Sequence, residues 1–265
     1  MTHVLLVGCG KMGGALLAGW QKSQNAPMRF SIIARSKPSG THASAHYYSQ
    51  LSEFPADETV DIIVFAVKPQ QLSAILPEYR ARFEKASALY ISIAAGKTIA
   101  YFKQHLGDNA RIIRVMPNTP SLIGQGVSLL FSPGEIDATQ KESACSLMQA
   151  VGSVAIMESE QQLDAATAIS GCGPAYVFLF LESLTKAGIM SGLSEPVARE
   201  LALGTVYGSA ALALDSDESF AKLRQNVTSP GGVTEAALRV LMQEKGLDTL
   251  LKEAVLAAQH RAKEL

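Results

Sequence analysis

Charge is scarce in this chain of 265 residues: Asp, Glu, Lys and Arg together make up 18%, against roughly a quarter in ordinary globular proteins. A chain so short of charge has surface to hide, which suits burial against copies of itself. The charges present cancel to a formal net of −1, so no overall field draws in nucleic acid or an anionic membrane, and phosphate recognition has to be local. Cysteine is scarce and odd in number: Cys9, Cys145 and Cys172, with no C-x-x-C pair. That excludes a disulfide framework and gives no zinc site, so no metal is expected and a reducing compartment fits. Clean apolar runs of membrane length are missing as well. The charge-free stretch 115–134 holds three prolines, and 165–181 is interrupted by Gly171-Cys172-Gly173-Pro174, so neither reads as a span. The chain enters an apolar strand at Val4 without a basic leader, and the expectation is a cytoplasmic, unprocessed protein.

At about 150 residues per domain, the length suggests two domains. The run Val4–Val7 is followed by Gly8-Cys9-Gly10-Lys11-Met12-Gly13 and then by Ala15, Leu16 and Trp20 at helical spacing, which reads as strand, turn, helix. Apolar runs recur at Phe30–Ala34, Asp61–Val67, Leu89–Ile93, Arg111–Val115, Gly126–Phe131 and Val151–Met157, mostly with room for a helix between them. This pattern predicts a parallel sheet covered on both faces, an α/β doubly wound domain over 1–157. After Glu158 the β-branched runs stop, and Ala, Leu and Gly dominate segments near 174–190, 196–214, 233–243 and 247–263. Residues 158–265 therefore read as an all-α domain. Within it, Leu201–Leu214 has no charge, and a helix apolar on every face must be buried all round. So few helices cannot easily enclose it, and two chains are expected to interleave there; the alternative is the central helix of a monomeric bundle.

Three glycines at the G-x-G-x-x-G spacing mean little alone, but here they leave a strand and open a helix. There Gly8 serves the tight turn, Gly10 the approach of a pyrophosphate and Gly13 the packing of helix on strand. The phosphates then meet the free N–H groups and positive end of the helix. NAD-binding versions carry an Asp or Glu about 20 residues further on for the ribose 2′-OH. No acidic residue precedes Glu53, while Lys11, Lys22, Arg29, Arg35 and Lys37 make the region basic. The second strand runs straight into Arg35-Ser36-Lys37, two cations and a hydroxyl suited to a 2′-phosphate. The cofactor is expected to be NADP(H), with NAD(H) as a secondary donor; a merely solvated basic turn is the plainer alternative. Ala66-Val67-Lys68-Pro69, Ala94-Ala95-Gly96 and Met116-Pro117-Asn118-Thr119-Pro120 each follow a strand, on the edge where ligands of open α/β sheets lie. Small Ala94 and Ala95 leave room, and Asn118 and Thr119 offer hydrogen bonds.

In the helical half, Ser170–Tyr176 and Thr228–Thr234 place glycines at helix entrances, where exposed N–H groups can take a small carboxylate. Thr234 either presents a hydroxyl to that ligand or caps the helix, and by composition alone the cap is the simpler reading. His3, His42, His46, His105 and His260 lie away from these motifs, and no Ser-His-Asp or Cys-His arrangement can be assembled. Chemistry asking little proton transfer of the protein is favoured, such as hydride addition to a protonated C=N bond.

The order of Val7-Gly8-x-Gly10-x-Met12-Gly13, Ala66–Pro69, Ser92-x-Ala94-Ala95-Gly96, Met116–Pro120, Gly171-x-Gly173-Pro174-Ala175-Tyr176 and Ser229-Pro230-Gly231-Gly232 spans almost the whole chain and resembles the pyrroline-5-carboxylate reductases. The resemblance implies a Rossmann-type domain, a helical dimerisation domain whose chains interlock, and reduction of a cyclic imine carboxylate, 1-pyrroline-5-carboxylate, to proline by NAD(P)H. It implies that the substrate carboxylate rests on N–H groups around Gly232, Val233 and Thr234, with the Thr234 hydroxyl near the ring nitrogen. Asn226 matches a position beside the cofactor, and Glu160 one near the substrate. Cys172 stands where that family usually has Ser, and Val233 where Thr or Ala is common. Two other readings are a β-hydroxyacid dehydrogenase, which needs a Lys early in the second domain whereas the first after Gly171 is Lys186, and a non-catalytic NADP(H) sensor.

Overall fold

The computed structural model describes residues 1–23, 28–37 and 45–264, and His42 lies outside them. The strands are β1 (Thr2–Val7), β2 (Met28–Ile33), β3 (Ala45–Tyr48), β4 (Ile62–Phe65), β5 (Leu89–Ser92), β6 (Arg111–Met116), β7 (Gly126–Phe131) and β8 (Gly152–Met157). The helices are α1 (Lys11–Lys22), α2 (Pro69–Phe83), α3 (Ile99–Leu106), α4 (Ala138–Gln149), α5 (Glu160–Ser170), α6 (Gly173–Met190), α7 (Glu195–Leu214), α8 (Phe220–Asn226), α9 (Val233–Leu241) and α10 (Leu247–Lys263).

The strands form one sheet in the order β3-β2-β1-β4-β5-β6-β7-β8. Alternation along β1 sends Val4 and Leu6 to one face and Leu5 and Val7 to the other, and each face has its own core. The first packs Leu16, Leu17 and Trp20 of α1 with Leu147 and Met148 of α4, and the Trp20 indole N–H donates to the Leu147 carbonyl at 2.8 Å. The second packs Leu72, Leu76 and Tyr79 of α2 with Phe102 of α3. The order turns back between β1 and β4, the switch point where such sheets open a crevice.

The doubly wound expectation is met, with two departures. β3 carries no aliphatic run, since Ala45-His46-Tyr47-Tyr48 pairs with β2 at the sheet edge, and only tertiary pairing makes it a strand. β7 runs antiparallel to β6, against the expected all-parallel sheet. The connection Pro117–Gln125 holds one 3₁₀ turn, Thr119–Ile123, too short for the crossover that a parallel return requires.

The chain forms two compact units, Met1–Cys172 joined by the chain from Ala258, and Gly173–Ala257. α5 belongs with the sheet, where it packs on β6, β7 and β8, although the sequence texture changes already at Glu158. In the second unit α6 and α7 pack together, and Gly188 permits the approach: a Cβ there would stand 3.0 Å from the Ala198 Cβ. α7 buries only Ala198 and Ala202. Leu203, Tyr207 and Leu214 are 53%, 74% and 90% exposed, so its own chain does not supply the burial its sequence calls for. α8 was not expected from the sequence; Ser219 caps it by accepting from the Lys222 N–H.

Candidate active site

A cleft of about 410 Å³ opens at the carboxyl ends of β1, β2 and β4. Of the predicted residues it is lined by Val7, Gly8, Gly10, Arg35, Ser36, Ala66, Val67 and Lys68. The three motif glycines differ in what they do. Gly8 has φ +91°, and a Cβ there would run into Val67 and the Ala66 carbonyl. A Cβ on Gly13 would lie 2.5 Å from the Gly8 carbonyl oxygen, so this glycine lets α1 close on the turn. Gly10 meets nothing within 4 Å; its side-chain position faces free space. Gly10 is also the N-cap of α1 and offers no capping side chain, and the N–H groups of Lys11, Met12 and Gly13 have no partner among the described residues. Open space before unsatisfied amides at a helix N-terminus is an anion cradle.

β3 sets the basic turn beside this cradle. The Ala34 N–H donates to the Tyr48 carbonyl at 3.1 Å, and the Tyr47 hydroxyl donates to the Ala34 carbonyl at 2.8 Å. Arg35, Ser36 and Lys37 follow, all exposed, and neither cation has an ion-pair partner among the described residues. The residues present fit NADP(H): an amide cradle for the pyrophosphate, and two exposed cations beside it for a 2′-phosphate. Burial pushes the Cys9 thiol pKa up, which keeps the one cysteine of the cleft protonated and unreactive.

Sequence reasoning missed the far wall, formed by Ser49–Leu51 and by Gln71, Ile75 and Tyr79 of α2. The last three recur every four residues just after the Ala66–Pro69 loop, one face of a helix, and that spacing was the available signal. Pro69 opens α2 with Lys68 as its N-cap. Ala94 and Ala95 leave the carboxyl end of β5, with the Ala94 N–H on the Ser92 hydroxyl at 3.2 Å. The Asn118 amide is engaged internally. Its Nδ2 donates to the Ser170 carbonyl at 3.0 Å and its Oδ1 accepts from the Val127 N–H at 2.8 Å, which leaves one N–H for any cofactor contact. Glu160 Oε1 accepts from the Ile99 N–H at 2.9 Å and from Arg114 at 2.7 Å.

In the second unit Ser229–Gly232 forms a turn closed by the Gly232 N–H on the Ser229 carbonyl at 3.0 Å, with Gly231 at φ +71°. Pro230 followed by a left-handed glycine is what a type II turn requires. The turn consumes the Gly232 amide, which is therefore not free for a carboxylate as the resemblance implied. The open donors are the N–H groups of Val233 and Thr234, and next to them that of Glu235. Gly232 is itself the N-cap of α9. Thr234 sits two positions further in than the N-cap, its hydroxyl makes no hydrogen bond among the described residues, and the capping reading does not hold. Asn226, at the end of α8, donates to Glu218 at 2.7 Å.

Comparison with known proteins agrees with this layout. A family model for pyrroline-5-carboxylate reductase dimerisation matches residues 160–265, and one for NADP oxidoreductase, coenzyme F420-dependent, matches residues 3–96. A pyrroline-5-carboxylate reductase of Pseudomonas aeruginosa is 37% identical, over 99% of this chain and 96% of its own length. That of Mycobacterium tuberculosis is 35% identical over 100% and 97%. Among solved structures, a Plasmodium falciparum pyrroline carboxylate reductase with NADP bound superposes with a TM-score of 0.87 at 33% identity, covering 99% of this chain and 97% of that one. A Coxiella burnetii pyrroline-5-carboxylate reductase gives 0.88 at 34%, covering 99% and 98%.

Proposed function

The chain belongs to the pyrroline-5-carboxylate reductase family, and from that premise we infer that it reduces 1-pyrroline-5-carboxylate to L-proline, the last step of proline biosynthesis, and propose which residues do so. NADP(H), when bound, supplies the hydride for the imine carbon. The Gly8–Gly13 loop, Ala66–Pro69, Ala94, Ala95 and Asn118 form its binding surface in the first unit, Arg35, Ser36 and Lys37 select the 2′-phosphate over a bare ribose, and the cofactor role of Asn226 rests on the resemblance. NADH, which has no such phosphate, is the weaker donor in this reading. The substrate carboxylate is held by the N–H groups of Val233 and Thr234, and the Thr234 hydroxyl orients the ring nitrogen. Since an iminium already carries its proton, the protein need only hold it, in keeping with the lack of any paired His or Cys. Residues 1–157 serve the nucleotide, and 158–265 serve substrate and assembly in a cytoplasmic enzyme.

The chain forms homo-oligomers, as its dimerisation family implies. We propose that α6 and α7 supply the contact. Between Glu160 and Met190 the chain is long and apolar enough to cross a membrane by composition alone, but it is divided into α5 and α6, and the dimerisation match runs through it. A second copy accounts for its open apolar faces.

The Thr234 hydroxyl, which has no partner among the described residues and stands beside amides equally open there, carries the catalytic assignment, and kinetics of NADPH oxidation with pyrroline-5-carboxylate test it. Thr234→Val should lower kcat/KM about 10- to 100-fold, the loss of one positioned hydrogen bond of roughly 1.4–2.7 kcal/mol, while Thr234→Ser stays near wild type. Normal turnover by the Val variant would overturn the assignment.

A further inference from the structure

We propose that Arg114 is a positioning residue for hydride transfer: through Glu160 it fixes the first turn of α3, and with it the Ala94–Thr98 loop at the carboxyl end of β5. The proposal rests on the assignment of that loop to the cofactor made above.

Arg114 lies in the middle of β6 and is 3% exposed. Its Nη1 donates to Glu160 Oε1 at 2.7 Å and its Nη2 to Asp164 Oδ1 at 2.9 Å. The two carboxylates are four residues apart on α5 and so share a face, which a planar guanidinium grips with both arms at once. The same Glu160 oxygen accepts the Ile99 N–H, the first of α3, at 2.9 Å. A carboxylate is favoured there by the free amide and the helix dipole. Arg114 also stands opposite Ser92 in the sheet register, and the Ser92 hydroxyl accepts from the Ala94 N–H at 3.2 Å. The loop from Ala94 to Thr98, turning at Gly96 with φ +71°, is thus tied at its start by Ser92 and just beyond its end by the Arg114–Glu160 pair. α5 is held at its other end too, by Asn118 on the Ser170 carbonyl at 3.0 Å.

The charge taken out of water here is that of Arg114, while the Glu160 and Asp164 side chains stay 22% and 40% exposed, and burying a guanidinium costs desolvation that its pairing must offset. What the charged fork adds is a fixed geometry on two elements at once. Glu160, which the resemblance places near substrate, thereby acts on the cofactor side through α3.

The test measures NADPH oxidation with pyrroline-5-carboxylate, at a temperature where every variant is folded, using NADPH with protium or deuterium at the transferred position. Arg114→Met should lower kcat about 10- to 100-fold, as expected when reacting atoms are displaced by about an ångström, with KM for NADPH changed less than kcat and a larger deuterium effect. Arg114→Lys, which can keep the contact to Glu160 but not the two-armed fork, should restore kcat in part. Arg114→Met with wild-type kcat and deuterium effect, and only a lower melting temperature, would overturn the proposal. If that variant does not fold, Glu160→Gln decides, because it keeps an oxygen for Ile99 but loses the charge for Arg114: lowered kcat with a raised deuterium effect supports the clamp, and unchanged values overturn it. Asp164→Asn, on the arm that does not reach α3, should leave both values near wild type; the same losses as in Glu160→Gln would show that any loosening of α5 suffices, and would sink the specific role. If the wild type lacks the activity, the functional reading fails. NADPH fluorescence then still tests the clamp: altered emission from NADPH bound to Arg114→Met supports it, and emission equal to the wild type overturns it.

Discussion

Gly10 and Gly13 sit three residues apart in one motif, yet the structure separates what each would suffer on gaining a methyl group. At Gly13 the new Cβ would lie 2.5 Å from the Gly8 carbonyl oxygen and 3.2 Å from the Ala66 Cβ, where ordinary contact begins near 3.4 Å. α1 would have to retreat by about 0.9 Å from the turn. Overpacking of that kind costs roughly 1–3 kcal/mol, against about 1 kcal/mol recovered from the better helix propensity of Ala. Gly13→Ala is therefore expected to lose up to about 2 kcal/mol of stability. At Gly10 the methyl group meets nothing within 4 Å, and the N-cap φ of −75° suits Ala. Replacing Gly by Ala at an N-cap costs a fraction of the roughly 1 kcal/mol typical of losing a good cap, so Gly10→Ala should melt close to wild type. That methyl group instead occupies space before the Lys11–Gly13 amides. Ligand at about 100 times its Kd stabilises a protein by about 2.7 kcal/mol, and Gly10→Ala should forfeit most of that gain. The assay is thermal unfolding of wild type and both variants with and without NADPH, together with KM for NADPH. A Gly10→Ala protein with wild-type KM and the full ligand-induced rise in Tm would refute the assignment of this space to the pyrophosphate.

Replacing Arg35 and Lys37 together by Ala should raise KM for NADPH by about tenfold, as two exposed charge contacts are lost, and leave KM for NADH nearly unchanged; equal losses with both cofactors would mean that the turn only supports the fold. Gly208 has open space around it within one chain, so Gly208→Glu should leave the single-chain fold intact but place an unpaired charge in the contact between copies. Sedimentation is then expected to show a smaller species, and an intact oligomer would move the contact elsewhere. His3 is buried near the start of β1, with its ring on the Ser31 hydroxyl at 2.9 Å and the Thr59 carbonyl at 2.7 Å. Burial, helped by Arg29, lowers its pKa below the ordinary 6.5, while the Thr59 carbonyl, Glu58 and Asp61 offset this in part. The unfolded chain therefore binds the proton first, and the stability present above about pH 6.5 is lost as pH falls below it. Tm should drop between about pH 7 and about pH 5, and His3→Gln should flatten the drop; an equally steep fall in that variant would assign the effect to other groups.

The sequence by itself determined the doubly wound class, since apolar runs that alternate with helical spacing can only be buried by a sheet covered on both faces. It also pointed to a phosphate loop and to NADP(H) as the cofactor, because glycine spacing after a strand, the absence of acid before Glu53 and the cations at Arg35 and Lys37 are local facts. The charge-free run Leu201–Leu214 announced a helix needing cover, and the single chain leaves that helix open. What only the tertiary structure decided are matters of distance across the chain. β3 is a strand because β2 lies beside it, and no pattern in Ala45–Tyr48 says so. β7 is reversed because the connection before it folds into a 3₁₀ turn and not a crossover helix. Gly232 spends its amide on a turn closed three residues back and is itself the N-cap of α9, so Thr234 falls two positions past the cap and cannot fill that role. Arg114 reads in sequence as a polar interruption of a strand. Its partners Glu160 and Asp164 lie 46 and 50 residues further along, and folding alone brings together groups whose pairing depends on a fixed separation of a few ångströms.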